Sequence, residues 1–167
     1  MKHTAVLYIH GKNGSASESE HYKPLFPECE VIGFDYQTFS PWETGAEIRS
    51  VVEKLKSEYD SIILIANSIG AFFSMNAGID SIIKKAYFIS PIVDMERLIT
   101  DMMDWANVTE DKLKEKGMIH TSLGEDLSWD YRIIKIEDGF VFYRKKKRKS
   151  KSEFAGERVD EYEQDDV

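Results

Sequence analysis

Cysteine occurs once in the chain, as Cys29. An intrachain disulfide and a multi-cysteine metal site are therefore both excluded, and a reducing compartment is the natural setting. No run approaches the ~18 consecutive apolar residues that a membrane span needs. The opening MKHTAVLYI is too short for the apolar region of a secretory signal and passes directly into a strand-like run. The cytoplasm is the default location on these grounds. A global basic bias is missing too: the net charge is −8, which gives no basis for nucleic-acid binding by the chain as a whole. Internal repeats are absent.

What is present fits one globular domain. The 167 residues are enough for one real core and few for two, and 42% hydrophobic with 12% aromatic residues is not a disordered composition. Four short runs are rich in β-branched and aromatic residues: Ala5–Ile9, Val31–Tyr36, Ile62–Ala66 and Ala86–Ser90. They are continuously apolar more than alternating, the pattern of strands buried on both faces of a parallel sheet.

Helical patterns lie between the runs. Ser40-Pro41 offers an N-cap followed by a first-turn proline. Ile48, Val51, Val52, Leu55 and Tyr59 then fall on one helical face. Residues 69–79 read as a second, more buried helix. Strands alternating with helices imply right-handed crossover units. Residues 94–106 read as a helix with Leu98, Ile99, Met102 and Met103 on one stripe, Thr109 caps a short helix over 110–116, and Gly117 ends it. Residues 118–131 read as loop. The span 94–131 would thus form a helical lid over a cleft.

From Arg132 the composition changes. Residues 132–143 resemble a hairpin turning at Asp138-Gly139. A run from Arg144 to Lys151 holds seven basic residues in eight, and 153–167 carries seven acids against one arginine. Such a charge-blocked end reads as disordered. The basic run could bind an anionic polymer, but a solvated tail is the commoner outcome for such a run.

Two segments carry chemistry. In Ile62–Gly70 a buried strand ends at Asn67 and a helix begins at once, so Ser68 sits on a sharp strand-to-helix turn. Ala66 and Gly70, two residues to either side, supply the small neighbours such a turn needs. The following helix N-terminus favours developing negative charge, and the N–H of Ile69 is the natural first donor to an oxyanion. The second segment is Tyr8–Ser15, where His10-Gly11 closes the first strand and Gly14 follows. Backbone amides of a glycine-rich loop at the carboxyl end of a parallel strand face a ligand, and the N–H of Lys12 is the candidate second donor. Gly11-Lys12 does not match a phosphate loop, in which lysine follows the last glycine.

HGKNGS after one strand and ANSIG after a later one, together with a strand ending near Asp35 and a trailing SPIVDM, resemble the α/β-hydrolase superfamily. The likeness is greatest to small bacterial serine hydrolases of the esterase kind, and it covers residues 4–131. Ala66 stands where the first glycine of Gly-x-Ser-x-Gly is usual. The resemblance implies a doubly wound parallel sheet with a helical lid over 94–131. It also implies a small-molecule acyl substrate, no cofactor and no metal. Ser68 would be the nucleophile, with Lys12 and Ile69 at the oxyanion. It further implies an acid and then a histidine after Ser68. His120 is the one histidine there, and Asp94 is a possible acid; the plainer readings are an exposed histidine and a helix N-cap. The family continues past Ser128–Tyr131 with two further core strands that carry the acid and the histidine. The break at Arg132 therefore predicts a fold incomplete at its C-terminal end, through truncation or a shift of reading frame near Tyr131. Residues 1–131 are expected to be the hydrolase-like domain and 132–167 an atypical tail. Trp105, Leu123 and Trp129 are candidate walls of the cleft.

Three functions stay open. One is a serine hydrolase acting on an ester, thioester or amide. Another is a non-catalytic protein of the same fold that lacks the histidine. The third is a module binding through the basic run. Oligomeric state is left open by the sequence.

Overall fold

The computed structural model describes residues 4–121 and 126–129 in full, and the backbone of 142–145 and 162–165. Its centre is a parallel sheet of four strands: β1 (Thr4–Ile9), β2 (Glu30–Phe34), β3 (Ser61–Asn67) and β4 (Lys85–Ile89), ordered β2-β1-β3-β4. The four apolar runs read from the sequence are these strands, each within two residues of its bounds. Leu7 pairs with Ile32 on one side and Leu64 on the other, so β1 is central.

Connections leave the two faces covered differently. A 3₁₀ helix, Ala16–Leu25, links β1 to β2, while α1 (Pro41–Glu58) and α2 (Ile69–Met75) link β2 to β3 and β3 to β4. Leu7, Ile9, Leu64 and Ala66 join Ile48, Val52, Phe72 and Phe73 of the helices in the main core. Val6, Tyr8 and Ile65 point the other way, onto Tyr22 and Phe26. The chain steps from β1 to one side and later to the other. Right-handed crossovers then require opposite faces, which is the arrangement seen. The reversal leaves a switch point at the carboxyl ends of β1 and β3, where open α/β sheets form their sites.

Local signals explain the helices. Ser40 caps α1, its hydroxyl accepting from the Glu43 N–H with Pro41 in the first turn. The helix expected over 69–79 is shorter, because α2 stops at Met75. A turn follows with Gly78 at φ +61, where the Arg49 guanidinium binds the carbonyls of Ala77 and Gly78. Then come α3 (Met95–Ala106) and α4 (Glu110–Lys116), the latter capped by Thr109 and stopped at Gly117 with φ +70.

Residues 118–131, expected as loop, contain a two-stranded antiparallel ladder. It is formed by β5 (Met118–His120) and β6 (Asp126–Ser128), with His120 opposite Asp126. Three-residue strands are too short for a period of two to be legible. Met95, Ile99 and Met103 of α3, Leu113 of α4 and Leu127 of β6 enter the main core. The segment after β4 is thus anchored by apolar side chains rather than laid over the surface.

In the charged end, the backbone of β7 (Phe142–Lys145) pairs antiparallel with that of β8 (Tyr162–Asp165). The hairpin read at 132–143 lies almost wholly outside the described residues. Among the described residues no helix is long and apolar enough to cross a membrane.

Candidate active site

Ser68 follows the last residue of β3 and precedes the first of α2. Its backbone lies at φ 51, ψ −119, a region L-residues adopt only under constraint. The constraint is visible. Its N–H donates to Ile89 O at 2.9 Å, and its carbonyl accepts from Ala71 at 3.1 Å and Ile92 at 3.4 Å. The segment leaving β4 thus clamps the turn from one side. The Ser68 side chain makes no capping bond to α2, so it is not spent as an N-cap. Ile69, as the first helical residue, has an N–H with no intrahelical acceptor.

The loop after β1 closes on the same turn. A Cβ placed on Gly11 would lie 3.2 Å from Ser68 Cβ, and one on Gly70 would lie 2.2 Å from His10 O. Two glycines therefore permit the first loop and the turn at Ser68 to touch. Lys12 follows Gly11 in a turn closed by Gly14 N–H on Gly11 O at 3.1 Å, with Asn13 left-handed at φ 59.

His10 is buried and supports this loop. Its Nδ1 donates to Gly11 O at 2.7 Å and its Nε2 lies 3.4 Å from Asp35 Oδ1. Its ring stacks on Tyr36 at 4.3 Å, and the Tyr36 hydroxyl donates toward His10 O at 3.3 Å and Gly11 O at 3.4 Å. Asp35 also accepts the Ala16 N–H, tying the end of β2 to the loop.

The other sequence candidates have partners of their own. Asp94 caps α3, its carboxylate accepting the Arg97 N–H at 2.8 Å. His120 Nδ1 lies 2.7 Å from Asp126 Oδ1, and 82% of its side chain is exposed. The carboxylate on that histidine is therefore Asp126's and not Asp94's. Sequence reasoning missed Asp126, because its pairing with His120 depends on the short β5–β6 ladder. Tyr36 was equally hidden, lying two residues past the end of β2. Of the candidate walls, Trp105 is exposed. Trp129 packs against the core with the Lys114 ammonium 5.6 Å over its ring. Leu123 lies outside the described residues.

The fold that carries this turn and this loop is shared with solved proteins. Est1E from Butyrivibrio proteoclasticus superposes with a TM-score of 0.56 at 19% identity, over 78% of this chain and 57% of that one. An esterase of Pyrococcus furiosus superposes at 0.50 with 18% identity, over 68% and 51%. The chain has the α/β-hydrolase fold. Among curated proteins, the "Putative esterase/lipase 3" of Mycoplasma genitalium is 26% identical over 129 residues, 71% of this chain and 46% of its own. The chain therefore spans about half the length of the hydrolase-fold relatives it matches. No protein-family model matches it.

Proposed function

We propose that the protein is a serine hydrolase that cleaves a small carboxylic ester, thioester or amide through an acyl-enzyme on Ser68. The observation that carries the reading is Ser68 at φ 51, pressed against Gly11 of the first loop. In the first step Ser68 Oγ attacks the acyl carbon and the carbonyl oxygen becomes an oxyanion. The N–H groups of Ile69 and Lys12 donate hydrogen bonds to that oxyanion; one such donor is typically worth ~10²–10³ in rate. Collapse expels the alcohol, thiol or amine, and water then releases the acid.

The serine proton needs a base. His120 is the candidate because it is the one histidine after Ser68 in the chain, and its Nδ1 is held by Asp126. Asp94, the acid candidate from sequence, is engaged as a cap. The segment 94–131, with Trp105 and Trp129, would select the acyl group.

A second reading is a non-catalytic protein that keeps the strained serine without a working base. The exposure of His120 favours it. A fluorophosphonate probe separates the two. Labelling that is lost in Ser68→Ala is the expected result. A folded wild-type protein that takes no label belongs to the second reading.

A further inference from the structure

The Gly11 carbonyl is a shared acceptor. It takes the Gly14 N–H at 3.1 Å, which closes the turn, and the His10 Nδ1–H at 2.7 Å. The Tyr36 hydroxyl donates toward it at 3.4 Å. The His10 ring, which makes the shortest of these contacts, is buried and is itself fixed. It stacks on the Tyr36 ring with the planes 14° apart, and its Nε2 lies 3.4 Å from Asp35 Oδ1. Tyr36 is buried in turn, edge-on to Phe73 of α2 at 5.5 Å. Neither ring has a part in the chemistry proposed above.

The Gly11 carbonyl and the Lys12 N–H belong to one peptide unit. A trans peptide is planar, with its N–H directed opposite to its C=O, so whatever holds the carbonyl also aims the amide. Such holding is needed here. Gly11 lacks a Cβ, which lets the loop approach Ser68, but a glycine restrains the peptide that follows it less than any other residue does. We infer that His10 and Tyr36 are positioning residues for the oxyanion: by holding the Gly11 carbonyl they fix the direction of the Lys12 N–H. The catalytic consequence rests on the hydrolase reading, and the direction of the amide rests on the contacts alone. Released from the ring contacts, the Gly11–Lys12 peptide can turn and carry its N–H off the oxyanion. Misplacement by about 1 Å at a reacting centre costs up to ~10²-fold.

His10→Leu and His10→Asn, with Tyr36→Phe beside them, are compared with the wild type on the full chain. Asn keeps an amide nitrogen near the place of Nδ1 and still donates to Gly11 O, whereas Leu fills the space without a donor. The first readout is the rate constant for fluorophosphonate labelling of Ser68. We expect His10→Leu to be roughly tenfold to a hundredfold slower and His10→Asn to recover most of the loss. Tyr36→Phe, which keeps the ring stack and loses the hydroxyl, is slowed less than His10→Leu. The second readout is hydrogen exchange at the Gly14 amide, which Gly11 O protects in the turn. It speeds up in His10→Leu and not in His10→Asn, whether or not the protein is active. Should His10→Leu fail to fold, Tyr36→Phe carries both measurements, with slower labelling and faster Gly14 exchange expected. Labelling equally slow in the Leu and Asn variants, or labelling or exchange unchanged in the variant that carries the test, overturns the inference. A wild type that takes no label while Gly14 exchange responds as expected sinks the hydrolase reading and leaves the direction of the amide standing. No label and no response in exchange sinks both.

Discussion

At the residue scale the site depends on what is missing from two positions. Gly70 has no Cβ, and one added there would meet His10 O at 2.2 Å and Ile9 O at 3.0 Å. Both obstacles are backbone, one in the central strand and one just past its end, so neither can swing aside. Gly70→Ala should therefore cost more than ordinary overpacking, at or beyond ~3 kcal/mol, and should push the first loop away from Ser68. Urea denaturation measures the first effect and fluorophosphonate labelling the second. A variant of wild-type stability would show that the two loops are not in contact. Part of this was readable beforehand. A small residue two positions after a serine that ends a buried strand announces a tight turn. The partner surface, the His10 carbonyl, could not be read, because it comes from a loop more than fifty residues earlier.

At the element scale, a single carboxylate separates two roles. Asp94 precedes α3 and accepts the Arg97 N–H. Asn caps a helix about as well as Asp, whereas Ala does not. Asp94→Ala should lose ~1 kcal/mol by thermal or urea unfolding and Asp94→Asn only a few tenths. If Asp94 were instead the triad acid, both variants would lose labelling and substrate turnover alike. Equal stability of the two variants would remove the cap assignment. Caps were the most legible features of the sequence. Ser40-Pro41 starts α1, and Thr109 with Gly117 bounds α4, each where the residue types demand. Strands were legible because their apolar runs are continuous. Elements without a buried stripe escaped. The 3₁₀ helix buries only Ser19, so no periodicity marks it, although its Tyr22 packs on Tyr8 of β1. The β5–β6 ladder was too short to show, and with it went the Asp126 carboxylate beside His120.

On the scale of the whole molecule, stability should hold a plateau across neutral pH and fall at both ends, for nameable reasons. Partial burial opposes the ionisation of Glu47, but hydrogen bonds from the Thr38 hydroxyl and from the Gln37 and Thr38 N–H groups outweigh it and lower its pKa. A carboxylate held low stabilises the fold above the ordinary carboxylate range, and that contribution disappears as acid protonates it in the folded state. Three tyrosines act in the opposite sense. Burial, then the Glu18 carboxylate, raises the Tyr8 phenol; burial raises Tyr22; the hydrogen bond to Glu30 raises Tyr59 to about 12. In the unfolded chain each ionises near ~10. Their contribution is complete below that value and is lost as pH rises from ~10 through the folded values. The Tyr59–Glu30 hydrogen bond is exposed, so solvent screens its share and the loss belongs mainly to Tyr8. Urea midpoints taken from pH 8 to pH 11 should fall for the wild type. In Tyr8→Phe, whose midpoint begins lower, they should fall less over the same interval, because the group that must ionise has been removed. Parallel slopes for the two proteins would mean that burial and Glu18 do not raise the Tyr8 phenol in solution.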